Sequence, residues 1–165
     1  MSGPVTIRGA TTDDTDTLFD LLSGIVQDHL PGQRPWTTPE QLRQDGFGAD
    51  PLFKGLIAER DAEPVGFITF YRGYASWRGK PMAMIGNLYT VEHARGLCVG
   101  RLLLASLARI AKDRGWLKLE LFVEEGKRAI GLYHAVGLRD LGHRHYRLEG
   151  EAFDILARAG LAARS

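Results

Sequence analysis

The stretch Leu88-Tyr89-Thr90-Val91-Glu92-His93-Ala94-Arg95-Gly96-Leu97-Cys98-Val99-Gly100-Arg101-Leu102-Leu103-Leu104 decides how this chain folds. Leu88 to Val91 suits the end of a strand. From Val99 onward the period changes: Val99, Leu103, Leu107 and Ile110 share one helical face, with Leu102 and Ala111 beside them. A helix over about 98–114 follows, stopped by Gly115. Strand, glycine-bearing turn, helix is an arrangement that presents free backbone N–H groups to an anion. The helix dipole adds about half a positive charge there. Gly96 and Gly100 let the backbone come close to a phosphate, and Arg95 and Arg101 add charge-assisted contacts. Neither Gly-x-Gly-x-x-Gly nor Gly-x-x-x-x-Gly-Lys-[Ser/Thr] occurs, so the turn is not a dinucleotide fingerprint or a P-loop.

Working outward, three apolar runs precede this turn: Phe53–Glu59, Val65–Tyr71 and Met82–Val91. The first pair is joined by Asp61-Ala62-Glu63 and the second by residues 73–81, which predicts an antiparallel meander. Val5–Arg8 reads as a first strand. Thr11-Thr12-Asp13-Asp14 then caps a helix that carries Leu18, Leu21, Leu22, Ile25 and Val26 to about Gln27. Thr38-Pro39-Glu40-Gln41 is a capping box with proline at the first helical position, opening a short helix to about Gln44. After the turn come a strand at Leu117–Val123 and a short helix at Arg128–Val136. A strand at Arg144–Leu148 and a helix at Ala152–Ala159 complete the chain. The whole reads as one mixed α/β domain over residues 1–165.

Composition bounds the function. The chain has 165 residues, 44% hydrophobic and 25% charged, which suits one globular domain. A net charge of +1 gives no overall basic field for nucleic acid. The charge is uneven: residues 10–63 carry 11 acids and 4 bases, residues 92–118 carry 6 bases and 2 acids. Two readings stand: solvated helix faces, or a polyanionic ligand near 92–118 with a cation near the first third. No apolar run is long enough to span a membrane, and the N-terminus shows no apolar stretch of signal-peptide length. The single cysteine, Cys98, excludes an intramolecular disulfide and points to a cytoplasmic setting. The five histidines show no metal spacing, and no metal is expected. Trp36, Trp77 and Trp116 read as packing residues, and Cys98 as a small packed side chain.

Arg95-Gly-x-x-x-Gly100 after a strand, followed by Ala129-Ile130-Gly131-Leu132-Tyr133 and Gly137, resembles the GNAT superfamily of acyl-CoA N-acyltransferases. Ile7-Arg8-x-Ala10-Thr11, Asp45-Gly46-Phe47-Gly48, Val65-Gly66-Phe67 and Tyr74-x-Ser76-Trp77-x-Gly79-Lys80 also fit. They are similar to the branch of diamine (spermidine/spermine) and thialysine acetyltransferases. The resemblance covers nearly the whole chain. It implies a central, mostly antiparallel sheet, splayed at the acetyl-CoA site and flanked by helices.

The resemblance also implies roles. Pantetheine bonds to the backbone of Leu88, Tyr89 and Thr90. The pyrophosphate sits on Arg95, Gly96, Leu97, Cys98, Val99, Gly100 and Arg101. Tyr133 lies near the CoA sulfur and protonates the leaving thiolate, which suits a phenol with an ordinary pKa of about 10. Acetyl passes directly from acetyl-CoA to the primary amine of a small molecule. Asp28, Asn87 and Glu120 are the candidate acceptor contacts, and a homodimer using residues 143–163 is implied. The chain departs from the pattern at four places. Cys98 stands where glycine is common and Gly126 where the family has asparagine, while Ile85-Gly86-Asn87 stands where the polyamine branch has Leu-Glu-Asp and Asp28-His29 where the family has Tyr-Glu. The lost Glu-Asp pair and Gly126 leave open a non-catalytic acyl-CoA-binding sensor, and a protein or peptide N-acetyltransferase is a third reading.

Overall fold

The structure is a computed structural model that describes residues 3–162, with side chains to residue 159. It divides into two compact units, residues 1–132 and 133–165. The first holds a five-stranded sheet in the order β1-β2-β3-β4-β5, formed by Val5–Gly9, Lys54–Arg60, Glu63–Ala75, Lys80–Thr90 and Leu119–Glu120. β1 through β4 pair antiparallel, and β5 pairs parallel to β4. Three helices belong wholly to this unit: α1 (Thr15–His29), α2 (Pro39–Phe47) and α3 (Val99–Asp113). α4 (Ala129–Ala135) carries the boundary between the units, and α5 (Glu151–Ala162) lies in the second.

Strand alternation sorts the core into two layers. Ile57 and Phe67 meet Leu18 and Leu21 of α1, with Leu22, Ile25, Phe47 and Tyr89 packed around them. Their neighbours in sequence, Leu56, Ala58 and Ile68, point to the opposite face. There α3 buries Val99, Leu103, Leu104, Leu107 and Ala111. Burying each large aliphatic side chain contributes about 1.5–3 kcal/mol. This layer therefore holds the start of α3 firmly against the sheet.

α1 is anchored at its N-terminus by charge. Arg8 Nη1 and Nη2 each donate to Asp14 at 2.7 Å, and Arg8 Nε donates to Glu59 at 2.9 Å. Asp14 also accepts from the Thr11 backbone N–H at 2.7 Å. The Thr38–Gln41 capping box forms as expected, and α2 runs on to Phe47. The β2–β3 turn places Asp61 and Ala62 at φ values of 53° and 65°. That backbone hand matches the twist of a two-residue hairpin.

Three expectations need correction. The strand expected over Leu117–Val123 is only Leu119–Glu120, paired with Ala83 and Met84. β4 carries a bulge between Ile85 and Asn87, where β3 passes from Phe70 directly to Thr69. A bulge bends its strand, and the β4–β5 ladder stops just before it. No strand forms at Arg144–Leu148, where Tyr146 is 80% exposed. A short strand is stable on a buried face, and the Tyr146 and Leu148 side of this run is exposed. Trp36 and Trp77 do not pack: both are almost wholly exposed, Trp77 in a 3-10 turn (Ser76–Arg78) at the tip of the β3–β4 hairpin, which runs past the other strands. Trp116 does pack, edge-on to Phe70 with ring centres 6.3 Å apart.

Candidate functional site

The turn between β4 and α3 is assembled in short steps. Val91 N–H donates to the Val65 carbonyl at 3.0 Å, ending the ladder. A 3-10 turn, Glu92–Ala94, follows, closed by Ala94 N–H to the Val91 carbonyl at 3.0 Å. Gly96 takes φ +87° and Cys98 takes φ +61°. The left-handed region costs a residue with a Cβ about 1–2 kcal/mol, so glycine suits position 96 and Cys98 holds a strained backbone. Cys98 is exposed, which corrects its reading as a packed side chain. The first α-helical bond runs from Leu102 N–H to the Cys98 carbonyl at 3.0 Å. No side chain caps this helix start. Its first-turn N–H groups, from Val99 to Arg101, therefore remain for an outside acceptor. A Cβ at Gly100 would lie 2.8 Å from Leu132 Cδ2, so glycine there leaves room for the Leu132 side chain.

The strand leading into this turn offers a second row of backbone groups. Because Val91 bonds to Val65, alternation makes Tyr89–Phe67 the next hydrogen-bonded pair. Leu88 and Thr90 then direct their N–H and C=O groups away from β3. β5 stops at Glu120, opposite Met84, and does not reach them. Of the three expected pantetheine contacts, Leu88 thus presents its N–H and C=O and Thr90 its N–H, while the backbone of Tyr89 is engaged with β3. The Thr90 carbonyl accepts from Arg95 Nε at 3.3 Å. An extended arm laid along this edge, with its phosphates on the uncapped helix, fits the donors present.

Arg95 and Asp28 are brought together. Arg95 Nη2 donates to Asp28 Oδ2, linking the turn to the last turn of α1. Tyr89 stands beside them: burial raises its phenol pKa, Asp28's charge raises it further and Arg95 opposes both. Asp28 thus lies at the glycine turn. The other two candidate acceptor residues lie further up the sheet. Asn87 Nδ2 donates to Thr69 Oγ1 at 2.9 Å, and Glu120 pairs with Lys118. Thr69 carries no local sequence signal, because only the strand register reveals that it faces Asn87. A Cβ at Gly86 would lie 3.1 Å from Thr69 Oγ1. The Thr69 hydroxyl therefore occupies space that a side chain at 86 would enter. Gly126 holds φ +78° in its turn, a backbone that asparagine also tolerates, so the position keeps its conformation.

Tyr133 belongs to the second unit. It is half-buried, and burial raises its phenol pKa above the ordinary value. Its carbonyl accepts from Leu138 N–H at 2.9 Å, closing α4. No group of three or more His, Cys, Asp or Glu residues able to hold a metal occurs among the described residues. No helix among them is long and apolar enough to cross a membrane.

Residues 19–138 match the model of the family described as the acetyltransferase (GNAT) family. A thialysine N-epsilon-acetyltransferase from Bos taurus is 31% identical over 166 residues, covering 93% of this chain and 97% of the relative. A spermidine/spermine N(1)-acetyltransferase-like protein from Homo sapiens is 37% identical over 112 residues, 64% of this chain and 16% of the relative. An integron cassette protein from the mobile metagenome of V. cholerae shares the fold with a TM-score of 0.80 at 19% identity. It covers 93% of this chain and 98% of the other.

Proposed function

The chain belongs to the acetyltransferase (GNAT) family, and from that premise we propose that it moves acetyl from acetyl-CoA directly to the primary amine of a small, amino-acid-like or diamine acceptor. The observation that carries the reading is the uncapped start of α3, entered through Gly96 and Cys98 in left-handed conformations, beside a strand edge with free backbone groups at Leu88 and a free N–H at Thr90. Likeness to the thialysine acetyltransferase over nearly the full length of both chains supports the acceptor class.

The chemistry needs three things: a deprotonated amine, a place for charge on the thioester oxygen and a proton for the leaving sulfur. The amine nitrogen attacks the thioester carbon, the C–S bond breaks, and the surplus amine proton passes to water. In our reading Tyr133 donates its phenolic proton to the departing thiolate and recovers one from solvent. Its raised pKa keeps the phenol protonated through neutral pH. The N–H groups of the Leu97–Gly100 segment hold the pyrophosphate, with Arg101 adjacent. Asn87 and Glu120 face the amine.

A single domain over residues 1–165 belongs to the same proposal, supported by a family match that crosses the boundary between the two units. So do a cytoplasmic setting and a homodimer. For the dimer, residues 143–163 are the proposed contact, of which Ala163 lies outside the described residues. Tyr146, Leu148, Phe153, Ile155 and Leu156 in that segment are all exposed, a surface a second copy would cover. Sizing at micromolar concentration tests this, and a monomer alone would end it.

The function is tested by steady-state acetylation of a panel of small amines by wild type and Tyr133→Phe. Loss of the general acid is expected to lower kcat by about 10²-fold or more. Unchanged kcat removes Tyr133 from the mechanism. Acetyl-CoA binding without turnover on any amine would replace the enzyme reading with that of a sensor.

A further inference from the structure

α1 meets the cofactor-side edge of the sheet through two residues on one of its faces. Gly24 and Asp28 are four apart and therefore stack on the same side of the helix. At Gly24 the Tyr89 phenol comes so close that a Cβ would lie 2.5 Å from its oxygen. One turn later Asp28 takes the Arg95 guanidinium, which also donates to the Thr90 carbonyl at 3.3 Å. Arg95 is thus held from two sides, by the end of α1 and by the end of β4. It immediately precedes Gly96, the first left-handed residue of the turn.

The placement of Asp28 is electrostatically odd on its own. It lies in the last turn of α1, where the helix carries partial negative charge and an acid is unfavourable. A cation partner removes that penalty, and Arg95 supplies one. The same pairing compensates much of the Arg95 charge, so Arg101 remains the cation of the turn that no carboxylate of the described residues engages.

We propose that Asp28 is a positioning residue for acetyl-CoA: acting through Arg95, it fixes the path of residues 95–98 so that the N–H groups at the start of α3 converge on the pyrophosphate. This reassigns Asp28 from the acceptor to the cofactor side. It rests on the acetyl-CoA reading above.

The test uses two acetyl donors, acetyl-CoA and S-acetylpantetheine, which lacks the pyrophosphate. Asp28→Ala is expected to raise KM for acetyl-CoA about three- to fivefold, the scale of a partly exposed ion pair. KM for the amine is expected to stay near the wild-type value, and the penalty to vanish with S-acetylpantetheine. Asp28→Glu, which keeps the carboxylate, is expected to recover most of the loss. Arg95→Met is expected to show the same penalty, and the double variant little more than either alone. Melting temperatures confirm that the variants fold, and Asp28→Glu keeps the test readable if Asp28→Ala does not.

A rise confined to the amine KM returns Asp28 to the acceptor and overturns the proposal. So does tighter acetyl-CoA binding, an equal penalty with both donors, or no change. If wild type binds CoA but acetylates nothing, only the catalytic reading fails. Positioning is then read in the calorimetric CoA affinity of wild type against Asp28→Ala. If wild type binds no CoA, both fail.

Discussion

Replacing Asp14 by asparagine removes one charge from the junction of β1, β2 and α1, and its effect can be worked from the structure. Asp14 is almost buried, with 10% of its side chain exposed, and two Arg8 nitrogens donate to it at 2.7 Å. The Arg8 hydrogen bonds, opposed by burial and aided by Thr11, lower its pKa from 3.8 to about 2. At about 1.4 kcal/mol per pH unit, that gap corresponds to about 2 kcal/mol of stability. The folded pKa is the lower one, so the contribution is fully present above pH 3.8 and is lost as pH falls through 2. About half of it remains at pH 3. Asp14→Asn keeps an acceptor for Arg8 and Thr11 but carries no charge at any pH. Urea unfolding of both proteins at pH 7, 4, 3 and 2.5 reads the difference. The expected result is a gap of about 2 kcal/mol at pH 7 that narrows steadily below pH 4. A gap that stays the same down to pH 2.5 would show that the cost comes from shape or packing, and would refute the electrostatic account.

Further expectations concern packing and the site. Gly66→Ala would put a Cβ 2.6 Å from the Tyr89 carbonyl oxygen and 3.0 Å from Val99 Cγ1. Backbone cannot retreat cheaply, so a loss of about 1–3 kcal/mol is expected in thermal unfolding. Gly96→Ala meets no atom within 4 Å but inherits φ +87°. It is expected to cost about 1 kcal/mol and to weaken CoA binding by calorimetry, because the turn relaxes away from its left-handed form. Thr69→Val removes the acceptor of Asn87 Nδ2. It is expected to raise the amine KM more than the acetyl-CoA KM if Asn87 faces the acceptor.

Legibility from sequence tracked the range of the interactions involved. α3 and its glycine turn were readable because a helical period and two glycines are local signals. The same holds for α2, where Thr38 and Gln41 form their capping box within four residues. The meander of β2, β3 and β4 followed from apolar runs and short connections. What the sequence did not disclose depends on partners far along the chain. The bulge at Gly86 exists only in the register of β4 against β3, and it bears on why the strand at 117–123 shortens to Leu119–Glu120. The Asp28–Arg95 pair joins residues 67 positions apart, so no local signal in the sequence connects Asp28 to the turn. The exposure of Trp36 and Trp77 was hidden for a related reason: an aromatic residue suggests packing until the fold shows that no element covers it.

The most direct test of acetyl transfer is mass spectrometry of small primary amines incubated with acetyl-CoA and the protein, with released CoA thiol titrated in parallel. The expected product is an amine carrying one acetyl group on nitrogen, formed in equal amount to the CoA released. CoA release without an acetylated amine, or no reaction across an amine panel that includes thialysine and spermidine, would contradict it.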